Sequence, residues 1–328
     1  MFAWSVHRQS SGWVAIAPTG ALAHAAHVVR REDGRPALRW AASTDWTDPA
    51  RGLDQLRPHL RGQRRIGLLQ RQQYQLLPLD APEVPREAWR DAVRWKLKDM
   101  VDFPVEDAGV DLLEIPPETS PRGRSSLLAA IAPAQALQPL MHAGEDAGLP
   151  WQALDLPETA LRNLSQLAEV GPPNVPANVP AAAAEGPGRA QALLGITDAG
   201  SWLVVTVGGE LLLSRAIELS RDATLAPPQD ETAHAAWDRV VLELQRSLDH
   251  CERLFSRVGI TRLLVGPAPA PDFLAYLQSL VYLPVQPYEL ADWVDLSAVP
   301  GLQDDASAQA RYFCAIGAAL RPEGDHGR

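Results

Sequence analysis

Ala192-Leu-Leu-Gly-Ile-Thr-Asp-Ala-Gly-Ser-Trp-Leu-Val-Val-Thr-Val-Gly-Gly-Glu-Leu-Leu-Leu-Ser-Arg-Ala-Ile217 consists of short apolar runs separated by Thr-Asp-Ala-Gly and Gly-Gly. Apolar, β-branched runs bounded by such residues read as strands joined by tight turns. A hairpin of this kind clasps a phosphate when its first turn carries an acidic residue for the metal and glycines that let backbone amides approach. Here an Asp-x-Gly pattern would fall on Gly195 and Thr197, while Asp198 and Gly200 come slightly later.

Beyond this hairpin, Trp237, Val240, Val241, Leu244, Leu248, Cys251 and Leu254 recur at threes and fours, which predicts a helix with one buried face ending before Gly259. Ile260–Gly266 then reads as a strand, 272–282 as a helix, Leu283-Pro-Val-Gln286 as a short strand and 307–321 as a closing helix. This alternation implies a parallel or mixed sheet flanked by helices.

The stretch 171–190 is dense in Pro and Gly without periodicity, and reads as a linker between a first half, 1–170, and a second, 191–328. In the first half, 12–17, 25–29 and 36–40 form a strand meander with turns at Pro18-Thr-Gly20 and Glu32-Asp-Gly34. Asp48-Pro49 predicts a capped helix that breaks near Pro58. Strands are expected at 65–69 and 74–79, and a helix from Pro85 buries Trp89, Val93, Leu97 and Met100. Strands at 108–115 and 126–131 and a helix over 135–147, closed by Gly148, complete a small α/β insertion spanning about 70–148.

A chain of 328 residues, 46% hydrophobic with ten Trp, can bury two cores. Its net charge of −10 disfavours a sequence-independent grip on nucleic acid, whose phosphates demand excess Lys and Arg. It permits a basic peptide partner. No apolar run approaches the ~20 residues of a membrane span, and Met1–Arg8 lacks the pattern of a signal peptide, so a cytoplasmic location is expected. Cys251 and Cys314 lie in apolar helical patterns and read as small buried hydrophobes.

The stretch Ala92-Val-Arg-Trp-Lys-Leu-Lys-Asp-Met-Val-Asp-Phe-Pro-Val-Glu-Asp-Ala-Gly-Val-Asp-Leu-Leu-Glu-Ile115 resembles the helix, Phe-Pro turn and Asp-containing strand of PilM-type pilus assembly proteins. Segments 149–162, 243–248 and 312–321 resemble that family's return strand and helix, its helix before the last sheet strands, and its closing helix. The short first loop and degenerate glycines look most like MshI, the version belonging to mannose-sensitive haemagglutinin (MSHA) pili.

This resemblance implies an α/β, two-domain actin-like fold with ribonuclease H-like halves and a small α/β subdomain inserted in the first. It implies a cytoplasmic scaffold, peripheral at the inner membrane, that binds the cytoplasmic N-terminal tail of a single-pass pilus assembly protein (PilN/MshJ-like). It leaves a homo-oligomer open. A type II secretion platform module shares the architecture, although there the module is usually fused to a membrane span.

ATP binding in this superfold requires two phosphate hairpins and a Gly-Gly adenosine turn. In the first hairpin the acidic and glycine positions fall on Ile16 and Pro18, leaving Thr19 and Gly20. In the second they fall on Gly195 and Thr197, with Asp198 and Gly200 displaced; at the adenosine turn Gly266 is followed by Pro267. Proline removes an amide that a phosphate would use. The sequence therefore reads as a degenerate pseudo-ATPase with no cofactor, a working ATPase with ATP and Mg being the alternative. His24/His27 and His250/Cys251 lack further zinc ligands, Ser10-Ser11 and Ser125-Ser126 lack a glycine elbow, and neither a catalytic nor a metal site is expected. For the partner-peptide groove, placed by the resemblance between the first domain and its insertion, the candidates are Tyr74, Leu76, Leu77, Trp95 and Phe103.

Overall fold

The computed structural model describes residues 12–119, 125–170 and 189–322. The first half opens with a meander of β1 (Trp13–Thr19), β2 (Leu22–Arg30) and β3 (Pro36–Asp45). β1 is buried on both faces, and its alternating side chains feed two cores. Trp13, Ala15 and Ala17 join the main core. Val14 and Ile16 point the other way, onto Leu53, Leu56 and Leu60 of α1 (Pro49–Leu60). Asp48 caps α1 by accepting the Ala50 and Arg51 amides at 3.1 and 3.3 Å. β4 (Arg64–Leu68) then pairs in parallel with β1.

A separate three-stranded sheet follows, built from β5 (Gln75–Asp80), β6 (Gly109–Ile115) and β7 (Ser126–Ala132) in the order β5-β7-β6, with α2 (Trp89–Leu97) inserted after β5. One face packs Leu127, Ala129 and Ile131 on Val93 and Leu97 of α2. The other, with Leu76, Leu113, Ile115 and Leu128, turns toward the main core. The chain returns through α3 (Ala134–Asp146), β8 (Ala153–Asp155) and α4 (Pro157–Val170), and β8 completes the first sheet in the order β3-β2-β1-β4-β8.

The second half repeats the plan. β9 (Arg189–Thr197), β10 (Gly200–Val207) and β11 (Glu210–Ile217) form the meander; α5 (Arg221–Leu225) and α6 (Glu231–Leu254) precede β12 (Gly259–Gly266), α7 (Pro271–Leu280) and β13 (Val285–Pro287). Its sheet order, β11-β10-β9-β12-β13, matches the first. Two short helices, α8 (Leu290–Trp293) and α9 (Pro300–Gln303), lead to α10 (Ala306–Ala319).

The last helix of each half lies on the sheet of the other. α4 packs against β9, β10 and β11, while α10 packs against β1 and β2, and the two helices touch. They meet so closely that a Cβ at Gly317 would stand 2.4 Å from the Ala160 carbonyl oxygen. A second tie joins the halves at the edge of β3, where the Leu38 amide donates to Asp295 O at 2.9 Å and the Asp295 amide to Pro36 O at 2.8 Å.

The structure corrects several expectations. α1 runs through Pro58 to Leu60; Leu56 and Leu60 are buried against the sheet, and this packing holds the final half turn despite the missing amide. Met100 lies beyond the end of α2 and is exposed, as is Leu254 at the end of α6. α3, expected within the insertion, packs on α1, with Leu140 and Ala143 in the same core as Val14 and Leu53. Of the expected linker, 171–188 lies outside the described residues, and Arg189 and Ala190 open β9.

Candidate functional site

The β1–β2 and β9–β10 hairpins meet at a cavity of about 200 Å³ lined by Pro18, Thr19, Gly20, Arg71, Asp198 and Ala199, with Trp202 and Cys314 behind. Four of the residues expected at a nucleotide site thus fall near one another: Thr19, Gly20 and Asp198 line this cavity, and Thr197 adjoins it. Gly200, at φ +133°, needs its glycine, and the Trp202 indole lies 3.1 Å from where a Cβ would stand. The Ala199 amide donates to Thr197 Oγ1 at 3.2 Å, and that hydroxyl donates to Gly200 O at 2.9 Å. Burial pushes the Cys314 thiol up to about 12. The cavity is smaller than the ~300–1,000 Å³ typical of small-molecule pockets.

Gly195 and Gly266 sit side by side, paired between β9 and β12. Each faces a neighbouring side chain. A Cβ on Gly195 would stand 2.6 Å from Leu161 of α4, and one on Gly266 2.6 Å from Tyr288 Cβ. Tyr288 is fully buried and donates to Leu164 O at 3.0 Å. Close packing therefore accounts for both glycines.

Two larger grooves run along the outer strands of the third sheet. One, of about 650 Å³, separates β6 from the first half: residues Gly109–Glu114 form one wall, and Leu154, Asp155, Leu156, Thr159 and Arg162 the other. Its rim charges are matched, Arg86 with Glu114, Arg90 with Asp111 at 2.7 Å each, Arg162 with Glu210 at 3.8 Å and Arg321 with Asp155 at 3.5 Å. Arg162 Nε, buried at this wall, has no acceptor among the described residues. The other groove, of about 1040 Å³, lies between β5 and the second half, against β11 and the C-terminal end of α6.

Of the expected peptide-groove residues, Tyr74, Leu76 and Leu77 line the larger groove, and Tyr74 also reaches the smaller. Tyr74 is buried, and its hydroxyl donates to Glu158 at 2.5 Å. Burial raises the Glu158 carboxyl above its ordinary range, and burial with the adjacent carboxylate drives the Tyr74 phenol far upward. Trp95 and Phe103 are placed elsewhere. Trp95 is 76% exposed on the outer face of α2, with Lys98 over its ring, and Phe103 packs against the core beneath α2.

Sequence reasoning missed Glu158, Arg162 and the β6 wall. The alternation of Gly109–Ile115 signalled a strand, and an outer position in a short sheet was its only further cue. No periodicity connects that strand to Arg162, which follows it by about fifty residues.

Among the described residues no helix is long and apolar enough to cross a membrane, and no three His, Cys, Asp or Glu side chains are arranged to hold a metal. His24 Nδ1 instead hydrogen-bonds Ser43 Oγ at 2.8 Å, and burial lowers its pKa.

No protein-family model and no curated protein sequence matches the chain. Among solved structures it is similar to a chain of the PilM-PilN type IV pilus biogenesis complex, at 18% identity over 95% of this chain and 99% of that one, with a TM-score of 0.66. Weaker likenesses include the cytoplasmic domain of EpsL, an inner membrane component of the type II secretion system of Vibrio cholerae (11% identity, 95% and 96% covered, TM-score 0.45). Another is a Bacteroides thetaiotaomicron protein of actin-like ATPase fold and unknown function (8% identity, 93% and 99% covered, TM-score 0.48). With two sheets of one plan, exchanged last helices and a third sheet set into the first half, the chain has the two-domain actin-like fold, shared along nearly its whole length with the chain of the PilM-PilN complex.

Proposed function

We propose that this chain is a cytoplasmic scaffold of type IV pilus biogenesis, held at the inner membrane by the N-terminal tail of a single-pass partner of the PilN kind. The observation that carries this reading is the 650 Å³ groove between β6 and the first half. Six consecutive residues of an outer strand line one wall, so a row of backbone groups faces an extended chain laid there. The buried Arg162 Nε supplies a donor for a peptide carbonyl, and Leu113, Leu154 and Leu156 supply apolar contact.

The scaffold acts without hydrolysing ATP in this reading. Support comes from the small volume between the hairpins, the proline in β1, and the Ala199 amide already engaged by Thr197. Assignment to an MSHA-type system rests on the degenerate loops alone and is part of the same proposal.

Photocrosslinking tests the placement. With benzoylphenylalanine at the exposed Asp111 position, a synthetic peptide copying the partner's cytoplasmic N-terminus is expected to crosslink. With the same group at Trp95 it is not. Equal yields from the two positions would remove the tail from this groove.

A further inference from the structure

The larger groove has no role in the reading above. Residues Gln75–Asp80 of β5 and Leu212–Ala216 of β11 line it without a break. Alternate side chains of a strand point to opposite faces, so consecutive residues share a wall only when the strand's hydrogen-bonding edge faces it. Both strands are outermost in their sheets, and each presents backbone groups with no ladder partner among the described residues.

The two edges are unequal. The Ala81 amide bonds inward to Ser125 O across β7, and alternation then turns Pro78 outward, where it removes an amide that an incoming strand would use. β11 contains no proline, so every residue keeps its amide, although its register is irregular at Leu212 and the strand also touches β6. The apolar lining comes from Leu76, Ile115 and Leu128 on one side and Leu254 and Phe255 on the other, Leu254 being 49% exposed.

Charge selects the occupant. Arg71 and Arg215 line the groove and are exposed; Arg71 lies close enough to the buried Glu158 to favour its charged form, and Arg215 forms no salt bridge among the described residues. Glu158 is engaged by the Tyr74 hydroxyl, which leaves Asp80 as the exposed carboxylate in the lining. Two exposed arginines in one groove of a chain carrying −10 overall form a local cationic site that attracts carboxylates.

We propose that this groove takes an extended segment of a second protein, about five residues long, that adds a strand to β11. Its carboxylates lie opposite Arg71 and Arg215, and its apolar side chains fill the space between Leu76 and Leu254. β5 and β6 are opposite edges of one small sheet, so a second partner docks here without displacing a tail held at β6.

Fluorescence anisotropy with the full chain tests this. The probe is a fluorescein-labelled peptide Glu-Val-Asp-Ile-Glu-Val, compared with Lys-Val-Lys-Ile-Lys-Val and with the acidic peptide N-methylated at alternate amides. The acidic peptide is expected to bind saturably and the other two not. Arg71→Glu combined with Arg215→Glu is expected to weaken it about tenfold or more, and Trp95→Ala, on the exposed face of α2 outside both grooves, to leave it unchanged. Absence of acidic-peptide binding, equal binding of the basic or methylated peptide, indifference to the Arg71/Arg215 variant, or loss in Trp95→Ala would each overturn the proposal.

Discussion

The Ala199 amide donates to the Thr197 hydroxyl oxygen at 3.2 Å, within the turn where a phosphate-clasping hairpin would present its backbone. The same hydroxyl donates to Gly200 O. A phosphate arriving here competes with a completed local network, a common property of Thr side chains in turns.

Mg-ATP is therefore expected to leave the melting temperature unchanged. A ligand present at about 100 times its Kd adds about 2.7 kcal/mol of stability, which a thermal melt resolves. A saturable upward shift, abolished by Asp198→Ala, would contradict the pseudo-ATPase reading.

The contact between α4 and α10 sets an order of sensitivity among glycines. Gly317→Ala drives a Cβ to 2.4 Å from the Ala160 carbonyl, a backbone atom that cannot swing away, and is expected to cost about 1–3 kcal/mol. Gly195→Ala meets Leu161 side-chain atoms at 2.6 Å, which can change rotamer, and is expected to cost less. Chemical denaturation of the two variants checks the order.

Glu158 gives the fold a pH dependence. Its carboxyl is raised by burial above the ordinary 4.5, so the folded chain keeps a proton that the unfolded chain has released. Its contribution is complete below that ordinary value and fades as pH climbs through the raised folded value. Glu158→Gln keeps an acceptor for Tyr74 without the titration. Melting curves from about pH 5 to about pH 8 are thus expected to show the variant gaining on the unaltered chain as pH rises; parallel curves would contradict this.

Much of the fold was legible because its signals are local. Both meanders, the Asp48 cap and the stripe from Trp237 to Cys251 follow from period, turn residues and capping chemistry. Trp95 was readable as an outward residue too, since it lies about 200° around the helix from Val93. Its nomination for a groove came from the resemblance.

The grooves were not legible. Tyr74 meets Glu158 across 84 positions, and the β6 wall faces Arg162 and Glu210 from another part of the chain. Gly195 and Gly266 were expected at a vestigial nucleotide site; a Cβ on either would meet Leu161 or Tyr288, and no local pattern announces such partners. Pro58 and Met100 went the other way: tertiary packing extends α1 past its proline, and the end of α2 leaves its last apolar residue in solvent.

A partner's tail held in the β6 groove without help from nucleotide is the proposal on which the rest depends. Calorimetric titration of the partner-tail peptide into the chain, with and without Mg-ATP, tests it most directly, with Leu113→Asp and Arg162→Met as groove variants whose folding is checked by melting. Saturable binding of equal affinity in both conditions, weakened about tenfold or more in each variant, is the expected result. Binding that requires Mg-ATP, or that survives both variants unchanged, would contradict the account.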